Sequence, residues 1–404
     1  MQLKVDLDRD RLADWFGQDG TRLVPGSALP DALVHQPSRW LLTELGLPRE
    51  GGARVEFATG PELLLRPLAE LLDGPSTGAE QLLVLGRVGC DRLVLDGVTG
   101  RIALAGTTYG QPAEVLIDLV ASDLSVLLLF IHELEVLRAD AADPSALDGL
   151  RGPAVVAEVT SALTERLRAL DPAVFDAAGQ APLWSAVLLV HGLRWAARPG
   201  AWLDGPSLAY EITPELAAGI GSFAPVDPAH LPSVLAHPPT RQLLTRIGLL
   251  TSDQLRANEE RPLLPLGERH PWIAEHLSQE RAHQLDQVCL GETLYDCLVV
   301  VDGASGRLEL TEGDGEEGWP AALLQSDLSA FYLTCWVLAR LRAEAARWHG
   351  LRKPADWQVF EPGSLLSEAG FDLLAELDPM SVTEEDGLWR TLADDGHMGG
   401  LLGD

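Results

Sequence analysis

Lysine is nearly missing from this 404-residue chain. Lys4 and Lys353 are the only two, arginine supplies the remaining bases, and asparagine occurs once, at Asn258. We attribute both shortages to genomic base composition. Bases of either kind are few, 30 against 60 acids, which leaves a formal charge of −30. Nucleic acid is held by neutralising phosphates with Lys and Arg, so no nucleic-acid partner is expected. Cysteine is scarce too. Cys90, Cys289, Cys297 and Cys335 form no CxxC pair, which excludes a disulfide framework. Three of the four sit inside apolar runs, the pattern of buried free thiols. Long apolar runs are absent: the stretch around Leu127–Ile131 is far short of a membrane span. The opening MQLKVDLDRDRL has no apolar signal core. No membrane contact and a cytoplasmic location are expected.

Catalytic motifs are equally thin. The chain has no GxSxG and no P-loop, and His132-Glu133-Leu134-Glu135 lacks the second histidine four residues on that a zinc helix needs. Gly313 to Gly318 fits GxGxxG, but Glu312, Asp314, Glu316 and Glu317 would set negative charge against a pyrophosphate, and Pro320 follows at once. No cofactor, metal or catalytic residue is expected.

What the chain does have is repetition. Residues 29–47, LPDALVHQPSRWLLTELGL, and 231–249, LPSVLAHPPTRQLLTRIGL, agree at eleven of nineteen positions without a gap. Each copy reads as a short helix opened by Pro37 or Pro239 and ended by Gly46 or Gly248. Leu41, Leu42 and Leu45, and Leu243, Leu244 and Ile247, form its apolar stripe. Further anchors recur in the same order. LLVLGRVGCDRLVLDGVTGRIAL (82–104) answers QVCLGETLYDCLVVVDGASGRLEL (287–310), Ser122–Ser125 answers Ser326–Ser329, and Leu170-Asp171-Pro172 with Trp184 answers Leu377-Asp378-Pro379 with Trp389. Solenoid repeats run to about 20–50 residues, whereas these copies are far longer. Tandem domains are expected, 1–200 and 201–404, with Pro199-Gly200 and Gly205-Pro206 marking the linker.

Along each copy the spacing predicts a sheet packed with helices. An amphipathic helix is expected over 6–16, strands over 54–58 and 63–68, and a hairpin of 91–95 with 101–105 around Asp96–Gly100. Its twin joins 298–301 to 308–310, and Val299–Val301, apolar on both faces, reads as a central strand. Asp123 and Asp327, with their neighbouring serines, read as N-caps of long helices through 138 and 347. Closing helices are expected near 155–169, 183–196, 364–376 and 387–394. His35 and His237 precede the proline-led helices, where an imidazole can cap backbone groups. Asp91 and Asp296 read as turn residues, and Trp184 and Trp389 as core.

One stretch does not follow the repeat. Glu312 to Trp319, EGDGEEGW, stands where the first copy has the uncharged loop AGTTYGQ, Ala105 to Gln111. An aromatic beside clustered acids suits an interface anchor, so Glu312, Asp314, Glu316, Glu317 and Trp319 are the expected partner-binding residues.

Together the anchors resemble the SUKH superfamily, most closely its fourth group of bacterial immunity proteins. The residues that carry the resemblance are P-x-R-x-L-L-x-x-x-G-L at Pro37–Leu47 and Pro239–Leu249, and L-G at Leu85-Gly86 and Leu290-Gly291. With them go L-D-x-x-T-G-R at Leu95–Arg101, answered by Val301–Arg307, and S-x-x-S at Ser122–Ser125 and Ser326–Ser329. The resemblance implies an α+β fold and a non-enzymatic protein that binds and neutralises a polymorphic toxin, often a nuclease or a nucleic-acid deaminase. A strongly negative chain suits a basic cognate toxin domain, reached faster by charge steering. The alternative is a scaffold or regulatory interaction module built on the same fold; an enzyme is the third reading.

Overall fold

The computed structural model describes every residue except 1–2, 61–63, 73, 75–76, 109–110, 177–181, 201–206, 253, 258–261, 276, 294–296, 312–322, 352–358, 386, 395–399 and 403–404. The chain forms two compact units. The first comprises Met1–Ala146, Glu158–Gly192 and Ala346–Leu365, and the second Leu147–Ala157, Leu193–Ala345 and Leu366–Asp404.

In the first unit, helix α1 (Arg9–Phe16) is capped by the Asp8 carboxylate, which accepts from the Arg11 amide. Strand β1 (Thr21–Arg22) pairs with β2 (Leu47–Pro48). Between them lies α2 (Gln36–Trp40), prolonged by a π-type turn over Leu41–Leu45. The expected helix over 6–16 starts only at Arg9, because Asp8 caps it there and the chain just ahead, bent at Lys4 and Val5, gives its amides elsewhere.

The main sheet runs β3 (Glu56–Phe57), β4 (Leu82–Val88), β5 (Asp91–Asp96), β6 (Ile102–Thr108), β7 (Gln111–Ala121), each antiparallel to the next. Two expectations change here. Of the described residues in the proposed strand at 63–68, Leu65 and Arg66 exchange backbone hydrogen bonds with Val84 and Pro67 bridges Leu83, and the chain then turns into a 3-10 segment at Leu68–Leu71. Leu65 has φ 61°, which no strand can hold. The supposed loop from Ala105 to Gln111 is mostly strand, because β6 continues to Thr108 and β7 begins at Gln111. Its adjacent threonines, Thr107 and Thr108, suit a ladder as well as a turn.

Behind the sheet come α3 (Leu124–Ala142), α4 (Pro153–Leu170), α5 (Pro172–Asp176) and α6 (Pro182–Leu193). Helix α3 buries Leu124, Val126, Leu127, Leu128, Phe130, Ile131 and Leu134. At about 25 cal/mol per Å2 of apolar surface such a row is the main driving force for docking a helix on a sheet.

The second half repeats the order. Helix α7 (Pro214–Ala218) and strand β8 (Ser222–Ala224) precede α8 (Pro238–Arg246), and β9 (Leu249–Thr251) pairs with β8. The sheet is β10 (Arg256–Ala257), β11 (Val288–Glu292), β12 (Leu298–Val301), β13 (Leu308–Leu310), β14 (Leu323–Gln325), again an antiparallel meander. A single turn, α9 (Leu266–Arg269), lies between β10 and β11, and α10 (Leu328–Leu351), α11 (Pro362–Leu377) and α12 (Leu388–Asp394) follow the sheet. Strand β12 is central, and Val299, Val300 and Val301 are fully buried, as their two-sided apolarity predicts. The fold is α+β in both copies.

Cys289, Cys297 and Cys335 are buried free thiols, while Cys90 is exposed. Trp184 and Trp389 are core residues whose indole nitrogens donate to the carbonyls of Val120 (2.8 Å) and Leu324 (3.3 Å). The L-G anchors have a shared cause. Both sheets carry a bulge, between Val84 and Gly86 and between Cys289 and Gly291. A Cβ on Gly86 would come 1.9 Å from the Glu56 carbonyl oxygen, and one on Gly291 2.3 Å from that of Arg256. Among the described residues no helix is long and apolar enough to cross a membrane.

Candidate functional site

Most of the repeated polar residues are consumed in holding the frame. His35 and His237 occupy the N-cap position of α2 and α8, yet neither ring bonds to the helix backbone. Each Nδ1 instead lies 2.8 Å from a hydroxyl one turn on, Ser38 Oγ or Thr240 Oγ1. Each ring lies against the hairpin, where the amides of His35 and His237 donate to the carbonyls of Gly97 (2.9 Å) and Gly303 (2.7 Å). Burial pushes both imidazoles below their usual value, so they are neutral at pH 7. The backbone capping expected of these rings is replaced by a clamp on the hairpin.

The aspartates serve the same end. One oxygen of Asp123 caps α3 through the Val126 amide (3.0 Å) and the other accepts from the Lys4 amide (3.0 Å). Asp327 does likewise at α10, through Ala330 (2.9 Å) and the Ala209 amide (2.6 Å). The next amides, of Val5 and Tyr210, donate to Ser125 Oγ (3.1 Å) and Ser329 Oγ (2.9 Å). An extended segment ahead of the first helix of each copy is thereby pinned to the long helix, Lys4-Val5-Asp6 matching Ala209-Tyr210-Glu211. A carboxylate accepting two amides is satisfied where it lies, which leaves it poorly placed for acid–base work.

These pinned segments form one wall of a groove that recurs in both copies. In the first unit Leu3, Val5, Asp6 and Leu7 face Gln36, Pro37 and Trp40 of α2 across about 360 Å3. In the second, Leu208, Tyr210, Glu211 and Ile212 face Pro239, Gln242 and Leu243 of α8 across about 110 Å3. The first groove is apolar with an acid on its rim, and the Trp40 side chain is 46% exposed. An indole at the mouth of a concave apolar site, ringed by polar groups, is what interface anchors look like.

Sequence reasoning missed this groove, although the signal was present. Within the repeated stretch two conservative differences, Ser38/Thr240 and Leu45/Ile247, fall at packed positions, Ile247 alone reaching half-exposure, while Ala32/Val234 and Val34/Ala236 exchange apolar residues nearer the surface. The chemically unlike pairs, Asp31/Ser233, Gln36/Pro238, Trp40/Gln242 and Glu44/Arg246, point outward, Gln242 half-buried and the others exposed. Positions that diverge on an otherwise kept frame mark the surface free to acquire specificity.

The residues that the sequence singled out for partner binding, Glu312, Asp314, Glu316, Glu317 and Trp319, lie outside the described residues. So does the GxGxxG-like string Gly313–Gly318. The described chain closes on them at Thr311 after β13 and resumes with β14. Among the described residues no group of three or more His, Cys, Asp or Glu is placed to hold a metal ion.

A scan against protein-family models matches the chain twice to the SUKH-4 immunity protein family, over residues 7–189 and 213–395. A search of curated proteins and of solved structures gave no match. The two matched spans hold both sheets and their long helices. Most of the extended groove wall, Leu3–Asp6 and Leu208–Ile212, lies ahead of them.

Proposed function

The chain belongs to the SUKH-4 immunity protein family, and from that premise we propose that it neutralises a polymorphic toxin of nuclease or nucleic-acid deaminase type by direct, non-catalytic contact. The observation that carries the reading is the double family match across two intact copies of one fold. Its role as an immunity protein implies a cognate toxin as partner. We take that toxin domain to be basic, because a chain of formal charge −30 attracts cations, repels nucleic acid and speeds encounter with an oppositely charged protein by about 10- to 1,000-fold. The copies divide at 200/201, and the whole works inside the producing cell, where the toxin must be met quickly.

The contact surface has two proposed parts. The acidic stretch Glu312, Asp314, Glu316, Glu317 with Trp319 belongs to the copy that carries the larger share of the negative excess. The groove beside Trp40 offers an apolar recess with an acidic rim. Supporting a binding rather than a catalytic role, the repeated histidines and aspartates are engaged in clamping the hairpins and capping the long helices.

The test is co-expression with the product of the adjacent gene. Stable co-purification, together with survival of cells that make both and death of cells that make the neighbour alone, is the expected result. A neighbouring product that is harmless by itself, or that never associates with this chain, overturns the reading.

A further inference from the structure

The second groove is smaller because part of it is already filled by the protein's own chain. Residues 198–200 run antiparallel to 209–211. The Gly200 amide donates to the Ala209 carbonyl (3.0 Å), the Glu211 amide donates to the Arg198 carbonyl (2.8 Å), and Pro199 bridges Tyr210. Gly200 lines the groove. The pairing carries a charge contact as well, Arg198 Nε to Glu211 Oε2 at 2.9 Å. The extended wall is therefore a strand edge, and the second unit shows what satisfies it: an extended segment bearing an arginine.

In the first unit the same edge is open among the described residues. The atoms that correspond to the Ala209 carbonyl, the Glu211 amide and the Glu211 carboxylate are the Lys4 carbonyl, the Asp6 amide and the Asp6 carboxylate. None of the three has a partner among the described residues. Their correspondence is fixed by identical anchoring, since Asp123 and Asp327 hold Lys4 and Ala209, and Ser125 and Ser329 hold Val5 and Tyr210. Here the groove has about 360 Å3 against about 110 Å3. The half-exposed indole of Trp40 stands where the second unit has Gln242.

Resting on the reading that this chain acts by touching a basic toxin, we propose that the first groove takes an extended basic segment of that toxin. The segment adds antiparallel to Lys4–Asp6, with an arginine or lysine opposite Asp6 and an apolar side chain over Trp40. Strand addition supplies affinity through backbone hydrogen bonds and specificity through side-chain pockets. Asp6 sets the sign of charge, as Glu211 does for Arg198. A second copy of this chain is a poor occupant, because two bodies of formal charge −30 repel.

The experiment uses the isotope-labelled full chain and, as probe, a synthetic peptide copying residues 195–200, which carries the Arg198-Pro199-Gly200 segment that pairs with the second edge. Saturable shifts at the amides of Lys4–Leu7 and at the Trp40 indole are expected. Glutamate in place of the peptide's arginine, or Asp6→Arg in the protein, should weaken binding by about fivefold or more, the scale of a partly exposed ion pair. Trp40→Ala should weaken it as well; both side chains are exposed, and a thermal melt confirms that the variants fold. Shifts that are absent or lie elsewhere, indifference to charge reversal, or a concentration-dependent dimer broken by Asp6→Arg overturns the proposal. Asp6→Arg and Trp40→Ala are then carried into the co-purification with the toxin. A toxin retained equally well by both variants sinks the groove and leaves immunity standing. A wild-type chain that retains no toxin sinks immunity, while the peptide titration still judges the groove.

Discussion

His35 lies directly against Gly100: a Cβ built on that glycine would come 2.2 Å from the imidazole Nδ1 and Cε1, and the residue's φ is 79°. The second copy repeats the pairing, with Gly306 at φ 81° and a Cβ 2.3 Å from His237 Nδ1. The ring and the hairpin turn fit only because the turn has no side chain there.

Gly100→Ala and Gly306→Ala should each cost about 2–4 kcal/mol, the sum of a left-handed backbone penalty and a displaced buried ring. Gly78 is the control. Its φ of 83° and ψ of −2° are left-handed but nothing lies within 4 Å of its Cβ position, so Gly78→Ala should cost only about 1 kcal/mol. Urea midpoints of the three variants decide it.

Lys4 and Asp171 form an ion pair at 3.0 Å in which the carboxylate side chain is fully buried. In the second copy the matching acid, Asp378, accepts from the Ser326 amide at 2.8 Å, but the position of Lys4 is held by Ala209. Among the described residues no ion pair reaches Asp378. Burial raises its pKa above the ordinary 3.8. The folded protein then holds that proton in a pH range where the unfolded chain has released it, so stability falls as pH rises from about 3.8 through the raised value. Asp378→Asn should remove this slope from melts recorded between acid and neutral pH. Ala209→Lys should supply the missing cation and raise neutral-pH stability by about 1 kcal/mol, discounted for a half-exposed lysine.

Asp91 is pushed up to about 6 by burial first, then by the nearby carboxylates of Asp118 and Glu361. The sign is the same: stability contributed below the unfolded value is lost as pH climbs towards 6, and Asp91→Asn should flatten that part of the profile. Asp118 has its own task, with Oδ2 accepting from the amides of Val359 (2.9 Å) and Phe360 (2.8 Å) within the first unit. Asp118→Ala should cost about 2 kcal/mol, the range for hydrogen bonds to a charged group. It should also speed proteolytic cutting near Val359, which mass spectrometry of a timed digest would read.

Trp319→Ala with charge reversal at Glu316 and Glu317 should weaken toxin binding by at least about 2 kcal/mol if that stretch holds the main contact. Calorimetric titration with the captured toxin measures it. Unchanged affinity moves the contact away from this stretch.

Sequence by itself determined the duplication, the class of fold and the frame. Gly86 and Gly291, Gly100 and Gly306, Asp123 and Asp327, Trp184 and Trp389 were legible because backbone geometry, capping and core packing admit few residue types, and because each appears twice. Other features had no such signature. Residues 6–8 read as the start of a helix, yet the helix begins only at Arg9, because the chain just ahead is held from far along the sequence, where Asp123 and Ser125 take the amides of Lys4 and Val5. Pro199-Gly200 read as linker, yet it pairs with Tyr210 and Ala209. Only the tertiary structure could set Trp40 beside Val5 and leave, among the described residues, one strand edge filled and its twin open. Periodicity and caps act within a turn or two of helix, whereas a groove is made where segments distant in sequence meet.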